Sequence, residues 1–303
     1  MNKLTTLTIA GLLLISGCSS AAVEKPEKTP IKENAIISYL GPEGTYTEEA
    51  AKYFFTDSDT YNPKKTVDEA ISDVLDGSAD YGVIPQENTI GGPVTNYVDA
   101  LISQKDVYVV GEVVIPISQT LLGVPGAKLE DIQLVCSHVQ GLTQSKKWRE
   151  ENLPNAKEQE MDSTAAAASY VSETQDLTIA AVSAPGAADI YHLDVLAENV
   201  QITDTNKTRF YVLSKEPSAK GAYSHAVFVA TCNADQIDDI IVEIHQSGLE
   251  LVALHDRPEG SELGKYYYVI EVVKEDGITA KQIEQIEKMD TVRFAGTFDV
   301  VMK

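Results

Sequence analysis

The stretch IISYLGPEGTYTEEAAKYFF, residues 36–55, joins an apolar run to a helix-like one through a Gly-Pro-Glu-Gly turn. The apolar residues 36–40 are typical of a buried strand. Thr45 followed three residues later by Glu48 has the form of a capping box and predicts that a helix begins there. The stretch therefore predicts a strand that passes directly into a helix, which is the repeating unit of α/β folds.

The next segment, TVDEAISDVLDG at residues 66–77, repeats this pattern. Thr66 and Glu69 form a second capping-box pair, and Gly77 is placed to end the helix. One helix face carries the apolar residues Val67, Ala70, Ile71, Val74 and Leu75. A strand, YGVIP, follows, and the alternation continues to about residue 215. Residues 36–215 are therefore predicted to form an α/β domain on a largely parallel sheet.

The last part of the chain follows a different order. Residues 216–222, EPSAKGA, are predicted to be a hinge, and residues 223–303 predict strand, helix, two strands, helix and strand. This βαββαβ order is that of ferredoxin-like folds. The chain of 303 residues is thus expected to contain two domains.

Composition restricts the function. With 24 basic and 46 acidic side chains the net charge is -22, which disfavours nucleic acid and anionic lipid as partners. An anionic ligand would need a local positive pocket. The three cysteines and five histidines show no metal-ligand spacing, so a structural zinc site is not expected. Cys136 and Cys232 lie in apolar runs and are interpreted as buried thiols, with a disulfide as the alternative.

The N-terminus, MNKLTTLTIAGLLLISGCSS, has one lysine, a short apolar stretch and small residues before Cys18. This pattern predicts a signal peptide, residues 1–17. Its LISGC ending resembles a bacterial lipobox, which implies lipidation of Cys18 and a lipid-anchored protein facing outside the cytoplasm. Residues 18–35 would be a flexible tether. The alternatives are a plain signal peptide, an uncleaved anchor, or an unprocessed segment on a cytoplasmic protein.

Five polar clusters interrupt the predicted body: GPEGTYT (41–47), PQENTIGGPV (85–94), SHVQGLTQ (137–144), DSTAAAASYV (162–171) and NKTRF (206–210). Several of them follow a predicted strand, where ligands of open α/β sheets bind. Taken singly, each has an ordinary interpretation as a tight turn, a helix cap or a polar loop. The order in which they occur is the informative feature.

In this order the clusters resemble the prephenate dehydratase family over residues 36 to about 215, with Thr-Arg-Phe at 208–210 as the most specific part. The resemblance implies a two-lobed catalytic domain like a type II periplasmic binding protein, with the active site in the cleft. It implies that prephenate loses carbon dioxide and water to give phenylpyruvate in L-phenylalanine biosynthesis, without a cofactor. Arogenate is the alternative substrate.

The resemblance also implies roles for single residues. Thr208 would donate to the leaving hydroxyl, and Glu87 or a water would supply the proton, because a threonine hydroxyl is a very weak acid. Arg209 would hold a substrate carboxylate. The other substrate-binding residues implied are Asn88, Thr89, Ser137, Gln144, Ser163 and Thr164. Thr89 stands where the family more often has serine.

The tail resembles the ACT domain that senses L-phenylalanine in this family. Of the usual effector motifs only Arg257 and Pro258 are kept, within HDRP (255–258), so they are the regulatory candidates. A dimerisation module is the alternative, and a homodimer or homotetramer is expected. For the whole chain, the alternative to an enzyme is a lipid-anchored binding protein for an aromatic or dicarboxylate ligand.

Overall fold

A computed structural model describes residues 27–303 of the chain. The predicted signal peptide with Cys18, and the first part of the predicted tether, lie outside the described residues. The rest of that tether lies against both the tail and the body. The Thr29 N–H donates to the Tyr223 hydroxyl at 2.9 Å, and the Lys32 N–H donates to the Tyr81 hydroxyl at 3.1 Å.

The body is built from strands and helices that alternate along the chain. Its strands are β1 (Ile36–Leu40), β2 (Thr60–Lys64), β3 (Tyr81–Asn88), β4 (Gly92–Pro93), β5 (Tyr108–Pro116), β6 (Thr120–Gly123), β7 (Leu134–Ser137), β8 (Lys157–Glu160), β9 (Ile179–Ser183), β10 (Asp194–Ala197) and β11 (Lys207–Ser214). Its helices are α1 (Tyr46–Phe54), α2 (Val67–Asp76), α3 (Thr95–Ser103), α4 (Val139–Asn152), α5 (Thr164–Thr174) and α6 (Ala187–Tyr191). A 3-10 turn covers Leu129–Asp131.

The helix starts follow from local sequence. The Thr45 side chain accepts a hydrogen bond from the Glu48 N–H, and the Thr66 side chain accepts one from the Glu69 N–H, so both predicted caps are confirmed. The Glu48 carboxylate accepts from the Gly44 N–H at 2.5 Å, one residue before the cap. The α2 helix ends at Gly77, whose φ of 83° is readily adopted by glycine.

The body strands form parts of two sheets, which confirms the α/β class. In the first sheet, β1 pairs in parallel with β2 and β3, while β11 runs antiparallel between β3 and β5. The second sheet has the order β10-β6-β9-β7-β8, with β7 parallel to β8 and β9 and with β6 antiparallel to its neighbours. The prediction of a largely parallel sheet is therefore wrong, and both sheets are mixed. Strands β6 and β11 run antiparallel because each follows a segment, 117–119 or 198–206, that crosses from one sheet to the other.

The tail contains β12 (His225–Asn233), α7 (Ile237–Gln246), β13 (Glu250–Pro258), β14 (Lys265–Val273), α8 (Ala280–Glu287), β15 (Val292–Phe298) and β16 (Val300–Met302). Strands β12 to β15 have the order β13-β14-β12-β15 and are joined to the first sheet of the body. The tail therefore extends the sheet of the body.

The junction between tail and body depends on one glycine. Gly296 of β15 pairs with Val109 of β5, and β16 then runs parallel to β5. Gly296 has a φ of +141°, and a Cβ built there would lie 2.1 Å from the Val109 carbonyl oxygen. Only a residue without a side chain allows the two strands to come this close.

A shared hydrophobic core fixes the tail on the body. One cluster of buried residues joins Tyr97 and Tyr211 of the body to Val227, Val269 and Phe298 of the tail. Tyr211 meets Tyr97 and Phe298 edge-on, at ring-centroid distances of 5.6 and 5.7 Å. Burial of this apolar surface stabilises the two parts as one unit.

Two further features bear on the sequence predictions. Cys136 and Cys232 are buried free thiols, as interpreted from their apolar surroundings. Among residues 27–303 no helix combines the length and the apolar character needed to cross a bilayer.

Candidate active site

A cavity of about 610 Å³ lies between the two sheets of the body. On one side its walls come from β1, β3, α3 and β11. On the other side they come from α4, α5 and the crossing segment 117–119. Of the predicted site residues, the structure brings five to this cavity: Asn88, Gln144, Ser163, Thr164 and Thr208. A second cavity, of about 640 Å³, lies by α1 and α6 and contains none of them.

Four helices begin at the 610 Å³ cavity. Its lining includes residues from the first turns of α1, α3, α4 and α5, among them Thr47, Asn96, Gly141 and Thr164. The first N–H groups of a helix have no partner within the helix, and the helix dipole makes this end positive. Among residues 27–303, no lysine or arginine lines the cavity. An anionic ligand would therefore be held by helix N-termini, which supply local positive potential inside an acidic chain.

Thr208 presents a hydroxyl whose direction is set by a neighbour. The Asn88 side-chain amide donates to Thr208 Oγ1 at 2.9 Å, and the register of β11 on β3 places these residues opposite each other. Thr208 is 8% exposed. Because its oxygen accepts from Asn88, the hydroxyl proton remains for donation into the cavity.

Asn88 is itself held on both sides of its amide group. Its Oδ1 accepts from the backbone N–H groups of Ile90 and Gly91, at 3.0 and 2.8 Å. Its Nδ2 also donates to Asn206 Oδ1 at 2.7 Å. The polar loop that follows β3 thus folds around Asn88 and fixes the orientation of its side-chain amide, whose nitrogen donates to Thr208.

The far wall is joined to the crossing segment by a pair of amides. Gln119 Nε2 donates to Gln144 Oε1 at 2.9 Å, and both residues are almost fully buried. Within residues 27–303, Gln119 Oε1 has no hydrogen-bond partner although it is buried. A buried acceptor of this kind suits a ligand hydroxyl or a bound water.

Ser163 and His138 act first as helix caps. Ser163 Oγ accepts from the Ala166 N–H at 2.9 Å, and His138 Nδ1 accepts from the Gln140 N–H at 3.3 Å. With Nδ1 accepting, the neutral imidazole carries its proton on Nε2. Both caps lie at the cavity, so the residues that start the helices also face the ligand space.

Two residues predicted to bind substrate, Ser137 and Thr89, lie behind the cavity wall and do not line it. Ser137 is fully buried, and its hydroxyl donates to the Val182 carbonyl at 2.6 Å. Thr89 Oγ1 accepts from the Lys207 N–H at 3.0 Å and donates to the Thr205 carbonyl at 3.2 Å. Neither hydroxyl is placed for the substrate contact that the resemblance implied. Both hold backbone next to residues that do line the cavity.

Arg209 and Glu87 lie on the other face of the sheet, which corrects the roles expected for them. Consecutive strand residues point to opposite faces, so Arg209 faces away from the cavity that Thr208 enters. Its guanidinium donates to Glu112 at 2.8 and 2.6 Å and to Glu271 at 2.5 Å. The Glu87 carboxylate lies 3.6 Å from Arg209 Nη1. Arg209 therefore binds carboxylates of the protein, and Glu87 lies beside it on the same face of the sheet.

The carboxylates around Arg209 share an excess of negative charge. The side chains of Glu112 and Glu271 are each 1% exposed. Burial, together with the nearby Glu271 charge, raises the pKa of Glu112 to about 7, against the lowering by Arg209. Burial and the neighbouring negative charge thus favour the protonated form of Glu112.

Arg257 also has a partner within the chain. Its Nε and Nη2 donate to the Asp99 carboxylate of α3 at 2.6 and 3.0 Å. The neighbouring His255 contacts the Tyr97 hydroxyl of the same helix. The segment HDRP, at the end of β13, therefore contacts the helix whose first turn lines the cavity.

Several cavity residues had no predicted role. Thr45 is predicted only as a helix cap, and Thr47, His138, Gln140 and Asp162 belong to polar clusters in which they have no assigned role. Asn96 and Gln119 gave no signal, since neither follows a strand in a polar cluster. All seven line the cavity.

Comparison with known proteins agrees with this geometry. Residues 37–218 match the family model described as prephenate dehydratase. The chain belongs to the prephenate dehydratase family. The match contains both sheets of the body and ends before the tail strands.

Relatives within the family extend the likeness into the tail. The chain is 33% identical over 291 residues to a bifunctional chorismate mutase/prephenate dehydratase of Aquifex aeolicus, covering 94% of this chain and 76% of that one. It is 33% identical over 275 residues to a prephenate dehydratase of Amycolatopsis methanolica, covering 86% and 88%. A crystal structure of a prephenate dehydratase of Arthrobacter aurescens in complex with L-Phe has a TM-score of 0.78 at 28% identity, covering 87% and 90%.

Proposed function

We propose that this chain is a prephenate dehydratase that converts prephenate to phenylpyruvate in L-phenylalanine biosynthesis. The carrying observation is the Thr208 hydroxyl, oriented by Asn88 inside a cavity where four helices begin. Prephenate is a dianion with two carboxylates and one ring hydroxyl. The cavity offers N-terminal helix dipoles for the carboxylates and a hydroxyl donor for the leaving group.

The reaction balances without an oxidant or reductant. The bond between the ring and its carboxylate breaks to release carbon dioxide, and its electron pair enters the ring. The bond between the ring and the hydroxyl oxygen breaks at the same time, and the oxygen leaves with one added proton as water. The ring becomes aromatic, so the protein has to orient the dianion and stabilise the departing oxygen.

The residues of this chain divide that work. Thr208 donates a hydrogen bond to the departing oxygen. The proton comes from solvent and is passed on by water in the cavity, since Glu87 lies with Arg209 on the other face of the strand. The first turns of α1, α3, α4 and α5 hold the carboxylates. Gln119 and Gln144 complete the polar wall.

Turnover of prephenate by a soluble form that begins at Ser19 tests this function. Phenylpyruvate is followed by its absorbance in alkali. Thr208→Val, which keeps the shape and removes the hydroxyl, is expected to lower kcat about 100- to 1000-fold. Thr208→Ser keeps the donor and is expected to retain most of the activity. Prephenate binding by calorimetry without turnover would instead establish the alternative, a binding protein without catalysis.

The finer architecture belongs to the same proposal. The two sheets with a cleft between them support a body like a type II periplasmic binding protein. The βαββαβ order of residues 225–298 and the strand order of the tail support a ferredoxin-like ACT domain. Both are independent of the catalytic test.

We also propose L-phenylalanine as an effector. The relative of Arthrobacter aurescens was crystallised with L-Phe. In this chain Arg257 joins β13 of the tail to α3, so an effector that moved β13 would act on a helix that starts at the cavity. Rates measured with and without L-phenylalanine, in the parent and in Arg257→Ala, test this regulation. A rate independent of L-phenylalanine would leave the tail a structural or dimerisation module.

Export is the last part of the proposal, and it rests on the sequence around Cys18. A mature protein with a lipid on Cys18 would face outside the cytoplasm, tethered by the residues that precede Thr29. Labelling with radioactive palmitate in a bacterial host, compared between the parent and Cys18→Ala, tests it. Label in the parent alone supports the anchor, whereas unlabelled cytoplasmic protein in both supports an unprocessed segment.

A further inference from the structure

A buried cluster of charged side chains holds the start of β11, which carries Thr208, on the face of the sheet opposite the cavity. Arg209, the next residue, binds Glu112 of β5 through two hydrogen bonds and Glu271 of β14 through one. Glu112 belongs to the body and Glu271 to the tail. A planar guanidinium held by two buried carboxylates has little freedom to move.

Backbone pairing with β3 and β5 holds Thr208 and Arg209 on both sides, but the ladder to β3 is interrupted directly after Arg209. The pairing of β11 with β3 shifts register between Arg209 and Phe210, which leaves Gln86 unmatched. Such a bulge interrupts the ladder and bends the strand. Gln86 Nε2 instead reaches the Tyr211 hydroxyl at 3.1 Å and Glu271 at 3.4 Å. The side chains around Glu271 thus add contacts where the ladder is interrupted, next to Arg209.

We propose that Glu271 is a positioning residue for the reaction: by holding Arg209 it fixes the place and direction of the Thr208 hydroxyl. This inference rests on the proposed function. It makes the tail a contributor to the catalytic machinery, although the family match ends at residue 218. The coupling passes from Glu271 of β14 to Arg209 of β11, and from Arg209 to Thr208, the residue before it in the chain.

The effect is expected in kcat more than in KM. The carboxylates of the substrate are held by the helix N-termini, which Glu271 does not contact. The leaving oxygen depends on Thr208, and a misplacement of about 1 Å in a catalytic group can lower the rate about 100-fold. Loss of Glu271 should therefore impair the chemical step and leave binding nearly unchanged.

Glu271 is the informative residue to change. Removing Arg209 would leave two buried carboxylates unpaired, which costs about 3–5 kcal/mol and would confuse folding with catalysis. In Glu271→Gln, Arg209 keeps both hydrogen bonds to Glu112, which limits the cost to folding, but loses the charge-assisted bond to Glu271 that holds its other side. Glu271→Asp keeps the charge on a shorter side chain. Glu284→Gln, at an exposed position of α8, removes a tail carboxylate away from the cluster and is the matched control.

The pH profile separates positioning from a general structural role. Groups near the cluster include Glu87 of β3, Tyr97 of α3, Tyr211 of β11, His225 of β12 and His255 of β13. Glu112 is repelled by Glu271, and this repulsion contributes to its raised pKa. Because Glu112 holds the same guanidinium, its protonation should also affect the placement of Thr208 and give kcat an inflection. Glu271→Gln removes the repulsion, so this inflection should move to lower pH.

The experiment uses the soluble form that comprises residues 19–303. It measures kcat, KM, the pH profile of kcat and the melting temperature. We expect Glu271→Gln to lower kcat at least about 10-fold with KM within about 3-fold of the parent. Glu271→Asp should recover part of the loss, and Glu284→Gln should match the parent. A parental kcat and pH profile in Glu271→Gln would overturn the proposal. A loss of kcat without a moved inflection or recovery in Glu271→Asp would reduce Glu271 to a structural residue.

A crystallographic readout keeps the inference separate from the proposed function. If the parent does not turn over prephenate, the proposed function fails. The contact of Asn88 Nδ2 with Thr208 Oγ1, 2.9 Å in the parent, can still be measured in Glu271→Gln and Glu284→Gln. It should lengthen or be lost only in the former. An unchanged contact in both would show that Glu271 does not position Thr208.

Discussion

The Asn88 side-chain amide donates to the Thr208 hydroxyl oxygen at 2.9 Å, and this one contact decides which way the hydroxyl proton points. Because Asn88 has a nitrogen in this place, Thr208 is the acceptor of that bond and keeps its proton for the substrate.

Reversing the bond should stop catalysis. In Asn88→Asp the group facing Thr208 is a carboxylate oxygen, which can only accept, so the Thr208 proton turns away from the cavity. We expect kcat to fall about 100-fold or more, measured by phenylpyruvate formation. Asn88→Ala removes the donor without supplying an acceptor and should be less impaired. An Asn88→Asp enzyme as active as the parent would contradict the assigned direction.

A negative charge at a helix start should weaken substrate binding. Asn96 lies in the first turn of α3 and lines the cavity. Asn96→Asp places a carboxylate near the dianion, so KM should rise about 10-fold or more, with the increase reduced at high salt. Asn152→Asp, at the distant end of α4, adds the same charge away from the cavity and should leave KM unchanged. Equal KM values for the two variants would show that the carboxylates bind elsewhere.

Stability should depend on pH through Glu112. Its pKa of about 7 in the folded protein lies above its ordinary value of 4.5, so the folded state holds a proton that the unfolded state has released. This stabilisation is complete below about pH 4.5 and is lost as pH rises through 7. Glu112→Gln removes the titration. The parent should therefore lose stability relative to Glu112→Gln between pH 5 and 8, by on the order of 2–3 kcal/mol.

Urea unfolding of the two proteins across this range measures the difference. The groups that act on Glu112 besides Arg209 are Glu87 and Glu271, and neither is changed. Glu130→Gln, an exposed position in the 3-10 turn, should follow the slope of the parent. Parallel curves for the parent and Glu112→Gln would show that Glu112 titrates in its ordinary range.

The junction of tail and body should depend on Gly296. A Cβ at this position would lie 2.1 Å from the Val109 carbonyl oxygen, and the φ of +141° is strained for other residues. We expect Gly296→Ala to lower the free energy of unfolding by about 2–4 kcal/mol. Gly186→Ala, where nothing lies within 4 Å of an added Cβ, is the control. Equal melting temperatures would mean that β15 can separate from β5 without cost.

Local features of the fold were predictable because they depend on near neighbours. The caps at Thr45 and Thr66 follow from side chains three residues apart, and the order of elements follows from apolar spacing. The polar clusters at strand ends led to five of the cavity residues. Asn88 and Thr208 could be anticipated in this way, because Asn88 is the last residue of β3 and Thr208 lies at the start of β11, both at the cleft.

The face on which a strand residue lies was harder to predict. Arg209 and Glu87 belong to the same polar clusters as Thr208 and Asn88, yet they point to the opposite side of the sheet. The bulge at Gln86 and the partner Glu271, 62 residues away, decide this arrangement. No local pattern marks either of them. Asn96 and Gln119 were missed because only the approach of the two sheets brings them to the cavity.

The sequence by itself determined the α/β class, the helix starts, the element order of the tail and the family, since all of these depend on residue type and short spacing. The tertiary structure alone decided that helix N-termini line the cavity and that Arg209 lies outside it. It also decided that the tail reaches the strand of Thr208 through Glu271. The physical reason is that buried charge must find its partner across the fold, and that partner is chosen by three-dimensional proximity and not by position in the chain.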